Sequence, residues 1–306
     1  MIKYIIKRLI SMIFVLLGVT FVIYLLLYLT PGCPAMISFG ISVSPERLLA
    51  RQYEWGLLDP FIVQYGRFLR GLIFHQDLGL SLHARIPVRD LVAFHFPFTL
   101  QLAVSGMLLS ILMGVPVGII AAVKPKSIFA RVTTISTVLL FSIPQFILAA
   151  ILEEVFSDWW LVIRPGMWQY MIVPSFAVAI GLAAGIAKMT RSSMLDVLNQ
   201  EYIRTSRAKG QKESVVIMKH AFRNALIPIV TVIGFQFGLL LGGVMITEII
   251  FRIPGLGSMM IHALWRRDFP ILLGGVLVVS LIFSIVNLLV DISYAFIDPR
   301  VKGQYK

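Results

Sequence analysis

The sequence predicts an all-α polytopic membrane protein with six transmembrane helices. Three observations predict it. The 306 residues are 58% hydrophobic, and only 14% carry charge, against about 25% in an ordinary soluble domain. Six stretches hold no charged residue at all: 9–29, 98–123, 132–152, 171–187, 226–247 and 271–290. Each runs 17 to 26 residues, and a bilayer core of about 30 Å needs roughly 20 as a helix. Finally, the basic excess that makes the net charge +12 is gathered into four short segments.

Those segments are 1–8, 124–131, 188–223 and 298–306, and they hold 17 basic against 4 acidic residues. They alternate with the remaining connections in the order that a six-span chain requires. Basic residues collect on the cytoplasmic side, so both termini are expected in the cytoplasm. The basicity is therefore the signature of one membrane face, not of nucleic-acid binding. Segment 30–97 then lies outside, with Tyr53, Trp55, Tyr65 and Phe68 among mixed apolar and charged residues.

The first span is too long for a cleaved signal peptide, whose apolar core is usually 7–15 residues. Cys33, the one cysteine, excludes an internal disulfide and is read as a small residue after a proline turn. Small residues recur every fourth position at Gly114, Gly118 and Ala122, at Ala177, Gly181 and Gly185, and at Gly234, Gly238 and Gly242. Such seams let helix backbones approach closely where lipid supplies no hydrophobic drive. The third, with Gln236 beside it, is expected to be a helix-packing or subunit interface. Pro116, Pro144 and Pro174 are expected to interrupt their spans.

No residue is assigned a catalytic or metal-ligating role. The chain has no Gly-x4-Gly-Lys-Ser/Thr loop, no His-Glu-x-x-His and no Gly-x-Ser-x-Gly, and its five histidines are scattered. Carboxylates near mid-span, expected of a proton-coupled carrier, are missing too. Gln145, Gln236 and Glu248 are the polar residues placed to line a translocation path.

The segment 188–225 carries most of the information. A helix is expected up to Lys209, with Gly210 breaking it as a C-terminal cap. A second helix is expected to follow, with Val215, Met218, Phe222 and Ala225 on its apolar face. This elbow reads Glu201-Tyr202-Ile203-Arg204-Thr205-Ser206-Arg207-Ala208-Lys209-Gly210, then nine residues, then His220-Ala221-Phe222-Arg223-Asn224-Ala225. It resembles the coupling segment, the EAA loop, of bacterial ABC importer permeases of the dipeptide, oligopeptide and nickel group.

The similarity extends along the chain. Pro31-Gly32-Cys33-Pro34 is similar to a family Pro-Gly-Asp-Pro with cysteine in place of aspartate. Gln76-Asp77-Leu78-Gly79-Leu80-Ser81, Glu248 to Gly257, Arg267-Asp268-Phe269-Pro270, Asn287 to Asp291 and Asp298-Pro299-Arg300 resemble further family segments.

The resemblance implies a type I ABC importer permease fold in the bacterial inner membrane. It implies a second homologous permease, two cytoplasmic ATPases that bind ATP and Mg, and an extracytoplasmic binding protein met by 30–97. The elbow would seat in an ATPase groove through Glu201, Arg204, Thr205, Arg207, Lys209, Gly210 and Arg223, with His220 and Asn224 anchoring it to its own bundle. Short peptides, including glutathione-like ones, are the implied cargo. Nickel or a metal chelate is the alternative, and a membrane scaffold or receptor without transport is the alternative of a different class.

Overall fold

The computed structural model describes residues 2–39, 44–157 and 168–297; the 298–300 motif and the basic residues after it lie outside them. The chain divides into two compact units. One comprises Ile6–Thr99 and Pro254–Ser284, the other Leu100–Ile253 with the residues at both chain ends. Among the described residues there is no β-strand, only an isolated bridge between Leu80 and Pro87.

The helices in order are α1 (Ile2–Leu29), α2 (Pro34–Phe39), α3 (Pro45–Glu54), α4 (Phe61–His75), α5 (Val88–Val123), α6 (Ile128–Ser142) and α7 (Gln145–Val155). A 3₁₀ turn, Trp168–Met171, leads into α8 (Ile172–Leu198), followed by α9 (Glu201–Ala208) and the single turn α10 (Glu213–Val215). A π-helical segment, Val216–Phe222, joins α10 to α11 (Arg223–Gly243). Helices α12 (Met245–Ile250), α13 (Leu256–Arg266) and α14 (Phe269–Ile297) follow. Among the described residues five helices are long and apolar enough to cross a membrane, and the pair α6 and α7 makes a sixth span if counted as one.

That pair corrects the expectation of one continuous span over 132–152. The helices meet at 96°. Proline lacks an N–H and its ring collides with the carbonyl four residues back, and it pushes the preceding residue out of the helical region. Ile143 accordingly sits extended (φ −82°, ψ 123°) before Pro144. The other two prolines do not break their spans. Pro116 lies within the continuous α5. Pro174 is the third residue of α8, where its missing N–H would have had no intrahelical partner anyway.

In the first unit, α4 lays aromatic rings on α1. Phe21 meets Phe61 and Tyr65 edge-on with centroids 5.4 and 5.5 Å apart, and Tyr24 meets Phe61, Tyr65 and Phe68 within 6.0 Å. Buried Gln64 is fully engaged: its amide donates to the carbonyls of Leu57 and Asp59 at 3.1 and 2.7 Å, and its oxygen accepts from the Tyr24 hydroxyl. So Tyr65 and Phe68 of segment 30–97 serve packing, while Tyr53 is 80% exposed. The guanidinium groups of Arg51 and Arg85 lie 5.6 and 5.8 Å from the Trp55 ring centroid.

Three of the motif segments meet in this unit. The Ser81 hydroxyl donates to Asp268 Oδ2 at 2.6 Å, out of solvent, and Arg267 packs its guanidinium over Gly32, where a β-carbon would collide with it. Cys33 accepts from the Gln52 amide at 2.9 Å. Beneath them Val88, Val92, Leu256 and Met259 form the core.

In the second unit α5 lies against α8. A β-carbon on Gly114 would fall 2.7 Å from the Ala183 carbonyl oxygen, and one on Gly118 would fall 2.7 Å from that of Ala187. Only glycine permits this approach, so the 114/118 seam is used inside the chain. Gly234 is likewise filled by Val290 of α14, whereas a β-carbon on Gly242 would meet nothing within 4 Å among the described residues. The seam of α11 is thus covered at one end and open at the other.

Candidate functional site: the basic elbow

Helix α8 ends at Leu198, and Gln200 is extended (ψ 147°), so α9 starts afresh at Glu201. The single helix expected up to Lys209 is therefore two. An acidic residue in the first turn of α9 and Arg207 in its last both suit the helix dipole. The chain then turns at Gly210, φ +74°, a left-handed conformation that favours glycine. Its N–H donates to the Arg207 carbonyl at 2.9 Å, as Lys209 N–H does to Thr205 at 3.0 Å.

The turn is clamped across its mouth. Arg207 Nε and Nη2 both donate to the Glu213 carboxylate, the shortest contact being 2.7 Å. This pair lies ahead of the apolar stretch that begins at Leu226. The hydrogen-bonded guanidinium holds the Glu213 carboxyl below its usual range, and the Arg207 group is raised in turn. Gln211 is the hub on the other side: its carbonyl oxygen accepts from Ser206 at 2.7 Å and meets His220 Nε2 at 2.8 Å.

Asn224 donates to the Tyr202 hydroxyl at 3.0 Å and to the His220 carbonyl at 2.8 Å. His220 and Asn224 therefore tie the two arms of the elbow to each other, rather than to the bundle as expected. Anchorage to the bundle is apolar instead. Ile203 and Val216, both wholly buried, pack with Ala122 of α5 and Met194 of α8.

The apolar face of the second arm also differs from expectation. Val215 and Met218 are 37% and 52% exposed, and the buried positions are Val216, Ala221, Ala225 and Ile229. Their first spacing is five residues, the π-helical repeat, and the next two are four. A π turn adds one residue to the turn and shifts the phase of everything before it, so a 3.6-residue period carried back from α11 selects the wrong face.

The basic side chains point outward. Arg204 pairs loosely with Glu201 at 3.2 Å, both largely exposed. Thr205, Lys209 and Arg223 are exposed as well; the Thr205 hydroxyl donates back to the Glu201 carbonyl. Tyr202, Gln211 and Glu213 complete the site, and spacing had singled out none of them for these roles.

The three expected path residues do not share an environment. Gln145 opens α7 at the break, and its amide nitrogen has no hydrogen-bond partner among the described residues. Gln236 is buried, with its amide group against Gly185. Glu248 has no exposed surface. Among the described residues, no group of three or more His, Cys, Asp or Glu is placed to hold a metal ion.

Residues 1–103 match the N-terminal family described as "Binding-prot-dependent transport system membrane comp, N-term". Glutathione transport system permease protein GsiC of Escherichia coli (strain K12) is 37% identical over 305 residues, covering 99% of both chains. The protein of the same name from Salmonella paratyphi A matches to the same extent. Among solved structures, the inward-facing MetNI methionine ABC transporter aligns over 68% of this chain and 97% of its own, with TM-score 0.57 and 20% identity. An amino acid ABC transporter aligns over 69% and 94%, with TM-score 0.52 and 16% identity. These structures share the fold. With residues 114–303 matching the binding-protein-dependent transport system inner membrane component family, this chain belongs to that family and is a multi-pass protein of the bacterial inner membrane.

Proposed function

We propose that the chain is a permease subunit of an ATP-driven importer for short peptides of the glutathione type, and that its basic elbow is the seat for a cytoplasmic ATPase. The observation that carries the reading is the elbow itself. Two short arms are locked around a left-handed glycine, with exposed cations outside and the second arm running directly into a long apolar helix. A push on such an element reaches the membrane without passing through a flexible joint. The cations suit an acidic groove, and their clustering in 188–223 suits the cytoplasmic face.

The chain itself catalyses no reaction in this reading. ATP and Mg belong to two partner ATPases, a second permease completes the pore, and a binding protein delivers cargo from outside. Identity with the glutathione permeases over the full length supports the cargo class.

Affinity purification of the chain from its native membrane is expected to recover two ATPase copies and a second permease. Proteoliposomes of that complex, supplied with its binding protein, are expected to accumulate labelled glutathione only with ATP. Recovery of the chain without ATPases refutes the importer reading. Recovery of the complete complex without glutathione uptake refutes the cargo alone.

A further inference from the structure

We propose that a crevice between α5, α6 and α8 holds one acyl chain of an anionic phospholipid, with the lipid headgroup gripped by the basic link that joins α5 to α6. The crevice is a cavity of about 230 Å³. Its walls are Val117, Val132, Leu140 and Ile180, and its floor is the small pair Gly114 and Ala183. The polar contributions are hydroxyls of Thr133, Ser136 and Thr137 on α6, and that of Thr137 is already donated to the Thr134 carbonyl at 2.9 Å. Such a lining offers almost nothing to a peptide backbone and suits a hydrocarbon.

The dimensions agree with one lipid leaflet. From Phe129 to Leu140 along α6 is about 17 Å at 1.5 Å per residue, and half the hydrocarbon core is about 15 Å. One end of the crevice, at Phe129 and Ala187, is also where the charge lies. Lys124 and Lys126 on the link, Arg131 in the first turn of α6 and Lys188, the residue after Ala187, are all exposed. No acidic residue occurs between Lys124 and Leu152. Four cations at the mouth of an apolar slot of leaflet depth match a negatively charged headgroup on a hydrocarbon tail. The placement holds whichever membrane face the link occupies.

The test uses the whole importer complex in phosphatidylcholine vesicles containing a minority of phosphatidylglycerol with a photoactivatable diazirine at the end of one acyl chain. Cross-linked peptides are mapped by mass spectrometry. Labelling is expected in 128–140 and 180–187, and it is expected to be at least about tenfold weaker with a phosphatidylcholine probe, since each basic residue near a headgroup favours the anionic lipid about fivefold. The variant Lys124→Gln/Lys126→Gln/Arg131→Gln changes exposed side chains and is expected to cut that preference to the about fivefold that Lys188 alone supplies. Ala183→Phe, which fills the slot, is expected to abolish labelling of 128–140. Equal labelling by the two probes, undiminished phosphatidylglycerol labelling in the triple variant, or no labelling because the second permease covers the slot each overturns the proposal.

Discussion

Substitutions at Gly210 separate backbone conformation from bulk, because a β-carbon there would meet nothing within 4 Å. The φ of +74° is therefore the main obstacle. Asparagine tolerates this region, so Gly210→Asn should behave nearly as wild type. Alanine incurs roughly 1–2 kcal/mol, enough to shift the elbow equilibrium about five- to thirtyfold without dismantling its bonds. Proline is a different perturbation. Its φ is locked near −65°, and it deletes the N–H that donates to Arg207. The turn must then open, with loss of that bond, the Ser206 and His220 contacts to Gln211, and the Arg207–Glu213 pair. Three hydrogen bonds at about 1 kcal/mol each and an exposed ion pair at up to about 1 give a loss of about 3–4 kcal/mol. In proteoliposomes, Gly210→Pro should insert normally yet abolish uptake, and ATP hydrolysis should no longer respond to the loaded binding protein. Normal uptake by that variant refutes the coupling role. Equal damage from alanine and proline refutes the conformational argument.

Glu213→Gln removes the clamp while keeping the shape. It should speed amide hydrogen exchange across 206–213 at pH 7 by less than about fivefold, as an exposed pair contributes at most about 1 kcal/mol. Because Arg207 lowers the Glu213 pKa, the pair's contribution is complete above the unfolded value of about 4.3 and is lost only as pH falls through the lower folded value. Exchange corrected for intrinsic rates should therefore show no clamp-dependent change between pH 8 and 5. Gly118→Leu drives a side chain against the Ala187 carbonyl and Thr190, and the overpacking should lower the yield of folded protein by destabilising it about 1–3 kcal/mol or more. Gly242→Leu has open space, so yield from detergent should be unchanged, while recovery of the second permease falls if this end of the seam is the interface. Asp268→Asn weakens a buried charged acceptor for Ser81, and should cost about 1–2 kcal/mol, read as faster proteolysis of the 76–87 segment.

Much of this was legible in the residues, for physical reasons. Freedom from charge over 17 to 26 residues has few solutions other than a membrane helix, and a glycine after a basic last turn is a strong stop signal. The close approach of α5 to α8 follows from the spacing of Gly114 and Gly118. What escaped was phase and partner choice. Apolar residues occupy both Val215 and Val216 and both Phe222 and Ala221, so composition cannot say which set is inward until the π turn is known. Gln211 and Glu213 are ordinary loop residues in the sequence; they matter because the left-handed turn brings them back to Ser206 and Arg207. Pro144 announced a disturbance, but proline is compatible with continuation, as at Pro116, or with a 96° bend. The surrounding packing decides between those outcomes.

From Glu213 to Gly243 the backbone is helical without interruption, a rod of about 45 Å at 1.5 Å per residue. Such a rod acts as a lever. If the packed residues Ala225 and Ile229 serve as its fulcrum, the arm on the elbow side is about as long as the arm beyond it, so displacement is transmitted with little gain and reversed in sense. The π-helical segment sits on the input arm, between the applied force and the fulcrum. One inserted or deleted residue within 216–222 would leave the rod's strength nearly unchanged but turn its handle by about 100°.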